Sequence, residues 1–568
     1  MDLKSLIRHA RGDEPADLLL RNGRVVNVLS GQVEHASVAL AGAFIVGLGD
    51  RPARAELDLE GAFVAPGFID AHVHIESALV PPSEFARAVV PRGPTTVVTD
   101  PHEIANVLGL EGIRFMFESA KFGPLNMYVM ASSCVPATAM ATSGAALHGY
   151  DLFPLKSDPW VLGLAEVMNY LGVIGGDDAV LEKIGAFQDR VIDGHSPGLS
   201  GPALQAYVAA GVQSDHESTT AGEALEKLRL GMMVMIREGT VARDLAALVP
   251  IVTPANQHRF CFCTDDCQPA DLLTRGGIDH AVRSAIALGM DPVSAIRLAT
   301  WNPAQHFRLH QRGAVTPGRR ADLVVFDDLQ APRPRLVFRN GELMARDGRM
   351  AVPPRPPSRT LRSTINISWD GLSFSIPAAG TRARVIGLRP DQLVTDALVD
   401  APLRRDGEAL ADPSRDLLKI AVIERHMASG AVGKGFVRGM GLREGALASS
   451  VAHDHHNLIV VGADDASMMT AARRVGAMHG GMVVASGGRV LAEVPLPLGG
   501  LMSAEPVETV KAQVEAAVAA ARALGSPLHD PFMAMSFLSL EVIPALKVTD
   551  QGLVDVAGMT LVPLWVES

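Results

Sequence analysis

The chain has 568 residues, 48% hydrophobic and 20% charged, a composition that excludes a mostly disordered polymer and leaves room for about two to four domains. Its 51 basic and 62 acidic residues give a net charge of −11, a poor electrostatic match for nucleic acid. The N-terminal segment lacks the continuous apolar stretch of a signal peptide and no run of about twenty apolar residues suggests a membrane span, while four cysteines do not build a disulfide framework. A cytoplasmic protein with neither nucleic-acid nor membrane partner is expected.

Residues 16–64 form short alternating segments, LLLRNGRVVNV and ASVALAGAFIVGLG, separated by Asn-Gly, Ser-Gly and Gly-Asp turns. That pattern predicts small antiparallel sheets joined by hairpins. The same texture returns at 313–349, in GAVTPGRRADLVVFDDL and RLVFRNGELMARDGR. One small β-sandwich domain built from residues 1–64 and 311–352, flanking an inserted domain, is therefore expected.

The inserted section, 65–310, reads as strand-then-helix units. Strands are predicted at 68–74, 95–100, 126–131, 161–166, 190–195, 211–216, 232–237 and 260–265. Segments between them, such as IANVLGLEGIRFMFESAKF, GEALEKLRLG and HAVRSAIALG, have helical periodicity. Eight strands over about 240 residues match the α/β architecture of a (β/α)8 TIM-type barrel. An open doubly wound sheet is the runner-up, but it needs a Gly-rich phosphate turn after an early strand, and none is present.

From 353 to 568 a Pro/Arg-rich linker, PPRPPSRTLR, leads into further strands and helices, a C-terminal α/β domain. The Gly-rich stretch around Lys434 fails as a phosphate loop, which would need Gly at Ala428 and Ser or Thr at Gly435. No short-period repeat indicates a solenoid.

The stretch PGFIDAHVHIES, 66–77, places His72 and His74 two residues apart on a strand, so both point to one face and make half a metal site. Alone, the pair reads equally as core or edge histidines. The other unusual polar residues fall at the C-terminal ends of predicted strands, where barrel enzymes keep their chemistry: Asp100, His102 and Glu103, then Glu166, His195, His216, Glu217, Asp265 and Asp266. Singly, Glu166 could be a helix-proximal carboxylate, His195 a turn residue and His216 a core histidine. Four histidines and two carboxylates on one rim point to metal. His72, His74 and Asp265 would hold one ion, His195 and His216 another, and Glu166 could span both. Zinc, manganese and ferrous iron all suit these donors, and two cations sharing a water supply a hydroxide nucleophile.

Cys261, Cys263 and Cys267 offer a rival sulfur cluster, but the first two alternate with Asp265 along one strand and read as small apolar fillers. Cys134 could be a nucleophile, without a local signature to support it. His453, Asp454, His455 and His456 are metal-compatible but lie in another domain, as a surface turn or a lid contacting the barrel mouth.

PGFIDAHVHIES, TTVVTDPHEIANV, GLAEVMNY, DGHSPGL, SDHES, MIREGT, FCTDD, LATWNPAQHF, VTPGRRADLVVF and SVAHDHHNLIVVG together resemble the adenine deaminases of the amidohydrolase superfamily. The resemblance covers most of the chain; His-x-His and the strand-eight Asp are general to the superfamily, whereas DPHEIANV, AEVMN and SDHE are narrower. It implies hydrolytic deamination of adenine to hypoxanthine and ammonia at a binuclear centre of two divalent ions, Mn2+ or Fe2+ ahead of Zn2+, in a homodimer. By the same resemblance Glu217 protonates ring N1. Asp265 can bind metal and relay the second proton, and Asp100, His102, Glu103 and Asp266 are candidates for substrate contact or support. One departure is Cys267-Gln268 after Thr-Asp-Asp, where a more basic or polar pair is expected.

Two other functions compete. A cyclic-amide or N-acetyl hydrolase on this scaffold often uses a carboxylated lysine near strand four, where this chain has Glu166. A noncatalytic metal-binding protein has no purpose for spare carboxylates such as Glu217, Asp265 and Glu103.

Overall fold

The computed structural model describes residues 1–121, 123–353, 361–390 and 392–566. The core of the expected linker, 354–360, lies outside the described residues.

A strand occurs at each of the eight places predicted in the inserted section: β1 (Phe68–His74), β2 (Pro94–Thr99), β3 (Asn126–Ala131), β4 (Val161–Val167), β5 (Val191–Gly194), β6 (Ser214–Asp215), β7 (Met233–Arg237) and β8 (Phe260–Cys263). β1 to β5 form a parallel sheet in chain order and β6 to β8 a second one. The sheet curls back on itself, because a short β9 (Asp265–Asp266) continues β8 and pairs in parallel with β1, Asp265 opposite Val73 and Asp266 opposite His74. On the other side the Gln213 amide donates to the Ile192 carbonyl of β5 at 2.9 Å.

Strands buried on both faces read as continuous apolar runs, which is why they were legible. Two differ from expectation. β6 begins three residues late because Gly211, at φ 107°, turns the chain out of the preceding helix. β8 stops at Cys263 and resumes at Asp265, which adopts φ 57°. Cys261 and Cys263 are fully buried beside Ile69, Ala71 and Met235, as apolar fillers.

The two flanks meet in a seven-stranded sheet, where Leu323–Phe326 pairs antiparallel with Phe63–Pro66, the strand that runs directly into β1. Leu20, Leu40 and Ile45 of a four-stranded sheet share a core with Val64, Val325 and Phe338 of the seven-stranded one. These sheets are mixed rather than antiparallel throughout. Ala16–Arg21 runs parallel to Ala53–Asp58 and Arg24–Asn27 parallel to Phe63–Pro66.

The C-terminal region is built on an eight-stranded sheet with the helices Asp465–Ala477 and Val507–Ala523. Lys434 lies within the strand Val432–Arg438 and donates to the Ser375 carbonyl at 3.0 Å, so its glycines make a strand and no phosphate loop. Met533, Phe537, Leu540 and Ile543 pack against Cys134, Ala137 and Met168, seating this region on the C-terminal ends of β3 and β4. No helix among the described residues is long and apolar enough to cross a membrane.

Candidate metal centre

The i, i+2 spacing on β1 brings His72 Nε2 and His74 Nε2 to 3.0 Å. Glu166 Oε1, at the end of β4, lies 3.6 and 3.2 Å from them, and Asp265 Oδ1 lies 3.5 and 3.1 Å away. The second Glu166 oxygen faces the other pair, 2.8 Å from His195 Nδ1 and 3.3 Å from His216 Nε2. One carboxylate therefore reaches both halves of a ring of six buried side chains. The His72 and His216 rings stack at 4.1 Å.

The ring fits divalent cations on its own chemistry. Donors bound to one ion at about 2.1 Å lie roughly 3.4 Å apart, close to the separations seen here. His74 Nδ1 faces the Asp100 carbonyl at 3.1 Å, which can only accept, so the proton sits on Nδ1 and Nε2 is left free for a metal. Burial opposes charge on His72, yet hydrogen bonds to Asp265 and Glu166 push its imidazole up to about 10. Burial likewise opposes ionisation of Glu166 and Asp265. The imidazoles of His216 and His195 around the first, and of His72 and His74 with Arg237 around the second, hold both well below the usual carboxylate range.

Glu217 follows ligand-type His216 and sits 3.5 Å from His216 Nε2 and 3.6 Å from His195 Nδ1. Its partner is Arg237, at the end of β7, a residue sequence reasoning did not single out. Arg237 is buried, contacts Glu217, and lies 3.0 Å from Asp265 Oδ2 and 3.2 Å from Asp244 Oδ2. The signal was available in MIREGT, an arginine at a strand's C-terminal end like the other rim residues.

The remaining candidates lie beside the ring. Asp100 accepts from Ser132 Oγ at 2.8 Å and holds His102 Nδ1 at 2.8 Å; His102, Glu103 and Asp266 line the same cavity as the ring. Asp266 accepts from Ser77 Oγ, and burial together with the neighbouring Asp265 charge raises its pKa. Among the described residues the cavity lining from this loop ends at Asp266: Cys267 and Gln268 are buried outside it, with the Gln268 amide on Thr240 Oγ1 at 2.9 Å. Cys134 is buried, and burial pushes its thiol up to about 12, which disfavours the thiolate form.

His453, Asp454, His455 and His456 are all buried, so the surface-turn alternative fails. His453 Nδ1 lies 2.6 Å from Glu103 Oε1, and His453, Asp454, Leu393, Phe537, Leu540 and Ile543 close the cavity from the C-terminal side.

A curled parallel sheet with histidines and carboxylates at its C-terminal rim defines an amidohydrolase, and the amidohydrolase family model matches residues 63–344. Membership of that family implies a divalent metal. A model of the adenine deaminase C-terminal domain matches residues 392–560. The chain is 49% identical over 563 residues to an adenine deaminase of Desulfatibacillum aliphaticivorans, covering 99% of each chain. It is 48% identical over 571 residues to one of Methanothrix thermoacetophila, covering 100% of each. The chain belongs to the adenine deaminase family.

Proposed function

We propose that this chain hydrolyses adenine to hypoxanthine and ammonia, with water as co-substrate. The observation that carries this reading is the end-to-end match to adenine deaminases at nearly half identity, together with Glu217 and Asp265 beside the histidine ring. We take the parallel strands as a single (β/α)8 barrel of residues 65–310, with a β-sandwich from 1–64 and 311–352 and a C-terminal α/β domain from 353–568.

His72, His74 and Asp265 would hold one divalent ion, His195 and His216 a second, with Glu166 between them; Mn2+ and Fe2+ are the preferred ions. When bound, such ions supply Lewis acidity, easing ionisation of the attacking water and stabilising negative charge. Glu217 takes one water proton and delivers it to ring N1 as the C6–O bond forms. Asp265 takes the second proton and passes it to the exocyclic nitrogen. The C6–N bond then breaks, ammonia leaves, and C6 is left as a carbonyl. Arg237, bonded to both carboxylates, keeps them in place between transfers. Asp100 orients His102, while Phe537, Leu540 and Ile543 give the cavity an apolar wall suited to a flat heterocycle and exclude water.

The test is to load the protein with Mn2+, add adenine, and follow loss of the adenine ultraviolet band together with release of ammonia. Adenosine, cytosine, guanine and dihydroorotate serve as the comparison panel. Turnover of dihydroorotate in preference to adenine would replace this reading with the cyclic-amide hydrolase.

A further inference from the structure

Beyond the histidine ring, a second group of donors converges where the loop after β2 meets the C-terminal domain. His102 Nε2 lies 3.2 Å from Glu103 Oε1 and 3.6 Å from Asp454 Oδ1. His453 Nδ1 lies 2.6 Å from the same Glu103 oxygen and 3.8 Å from the same Asp454 oxygen. Two imidazole nitrogens and two carboxylate oxygens thus lie 2.6–3.8 Å apart across these four contacts, a range that brackets the roughly 3.4 Å edge of a tetrahedral coordination shell.

Each donor is held from behind. The Asp100 carboxylate takes the Nδ1 proton of His102, which turns the Nε2 lone pair toward the cluster, the usual arrangement behind a ligating histidine. The His453 ring is stacked on Phe537 at 4.7 Å with planes 13° apart. His456 has a different part: its Nδ1 accepts from the Ala452 amide at 3.2 Å, and its Nε2 contacts the second oxygen of Glu103, the one turned away from His102 and His453.

The cluster also keeps buried polar atoms unpartnered. Asp454 is 2% exposed, and its Oδ2 finds no hydrogen-bond partner among the described residues, nor does His453 Nε2. Six carboxylates, Glu103, Glu166, Glu217, Asp265, Asp266 and Asp454, line the cavity, and the buried guanidinium of Arg237 reaches only Glu217 and Asp265 among them. Glu103 and Asp454 lie beyond the reach of that guanidinium, with the imidazoles of His102 and His453 beside them. A buried charge in a low-dielectric site is costly unless paired.

The geometry points to a third divalent-cation site, ligated by His102, Glu103, His453 and Asp454, that ties the barrel to the C-terminal domain. Mixed nitrogen and oxygen donors suit Mn2+ or Zn2+. None of these four side chains belongs to the ring of His72, His74, Glu166, His195, His216 and Asp265, although His102 Nδ1 lies 3.5 Å from Glu166 Oε1, so the third site can be removed by substitution without deleting a ring donor.

Metal stoichiometry tests this without reference to turnover. The full chain, stripped by chelation and reloaded with Mn2+ alone, is desalted and its manganese counted by elemental analysis. Wild type is expected to hold about three equivalents. Asp454→Asn and His453→Gln should each hold about two, their retained pair and unchanged circular dichroism showing that they fold. Two equivalents in wild type would overturn the third site and leave the paired centre standing; one or none would overturn both. Three equivalents in both variants would remove His453 and Asp454 as ligands, and loss of every ion from either would overturn a third site removable apart from the ring.

Discussion

Arg237 and Asp265 meet at 3.0 Å through the same Nη1 that contacts Glu217. One guanidinium nitrogen thus couples the two carboxylates assigned to proton transfer. Arg237→Met leaves Glu217, Asp265 and Asp244 without their buried counter-charge, and breaking a buried pair typically costs about 3–5 kcal/mol. Denaturant unfolding should show that loss. Arg237→Lys should recover part of the stability but less of kcat, because a point charge does not reproduce the planar fork.

Glu166 presents one oxygen to each histidine pair, and this gives it a distinct signature in metal analysis. Glu166→Gln should lose at least one equivalent at the ring, as should His72→Ala or His195→Ala, with activity falling in step. Full occupancy in Glu166→Gln with altered KM alone would move that side chain into the substrate pocket.

Glu217 stands beside the ring without belonging to it, so its removal should separate chemistry from metal content. Glu217→Gln is expected to keep its metals while kcat drops by about 10²–10⁴, the usual scale of general acid–base catalysis. Asp265→Asn should lose as much or more, with weaker metal binding. A near wild-type rate for Glu217→Gln would shift the shuttle to Glu103 or Asp266.

Lys547 supplies a pH test in the C-terminal domain. Fully buried, it donates to the carbonyls of Leu393 and Phe537 at 2.9 and 2.8 Å, and burial lowers its pKa from 10.5 to about 7. The folded state therefore gives up a proton that the unfolded chain retains between about 7 and 10.5. Stability relative to Lys547→Met should rise with pH across that window, by up to about 1.4 kcal/mol per pH unit, and be lost again as pH falls through 7. Equal slopes for both proteins would show that Lys547 stays charged when buried.

The sheet and its metal-type ring were legible because each rests on a local pattern. Apolar runs marked β1 to β8, and ring residues stood out as polar groups ending those runs. Strand direction in the small sheets was not legible, since the alternation at Ala16–Arg21 and Ala53–Asp58 is the same for parallel and antiparallel partners. Nor was the closing of the cavity. His453 and Phe537 reach Glu103 and Met168 across hundreds of residues, and no periodicity near 453 or 537 encodes where that segment lands. Arg237 lay in plain view, but its importance comes from Glu217, Asp244 and Asp265 converging on it in three dimensions.

The pairing of Phe63–Pro66 with Leu323–Phe326 has a consequence for synthesis. During translation at about 5–20 residues per second, the later strand emerges on the order of tens of seconds after the earlier one. Throughout that interval the edge of Phe63–Pro66 facing its future neighbour presents unpaired backbone groups, immediately ahead of the strand that carries His72 and His74. The nascent chain must pass through a long-lived species with an open apolar edge, the kind that chaperones recognise. Expression at low temperature, or with added chaperone, should raise the yield of full-length protein more than it raises that of a separately expressed C-terminal region.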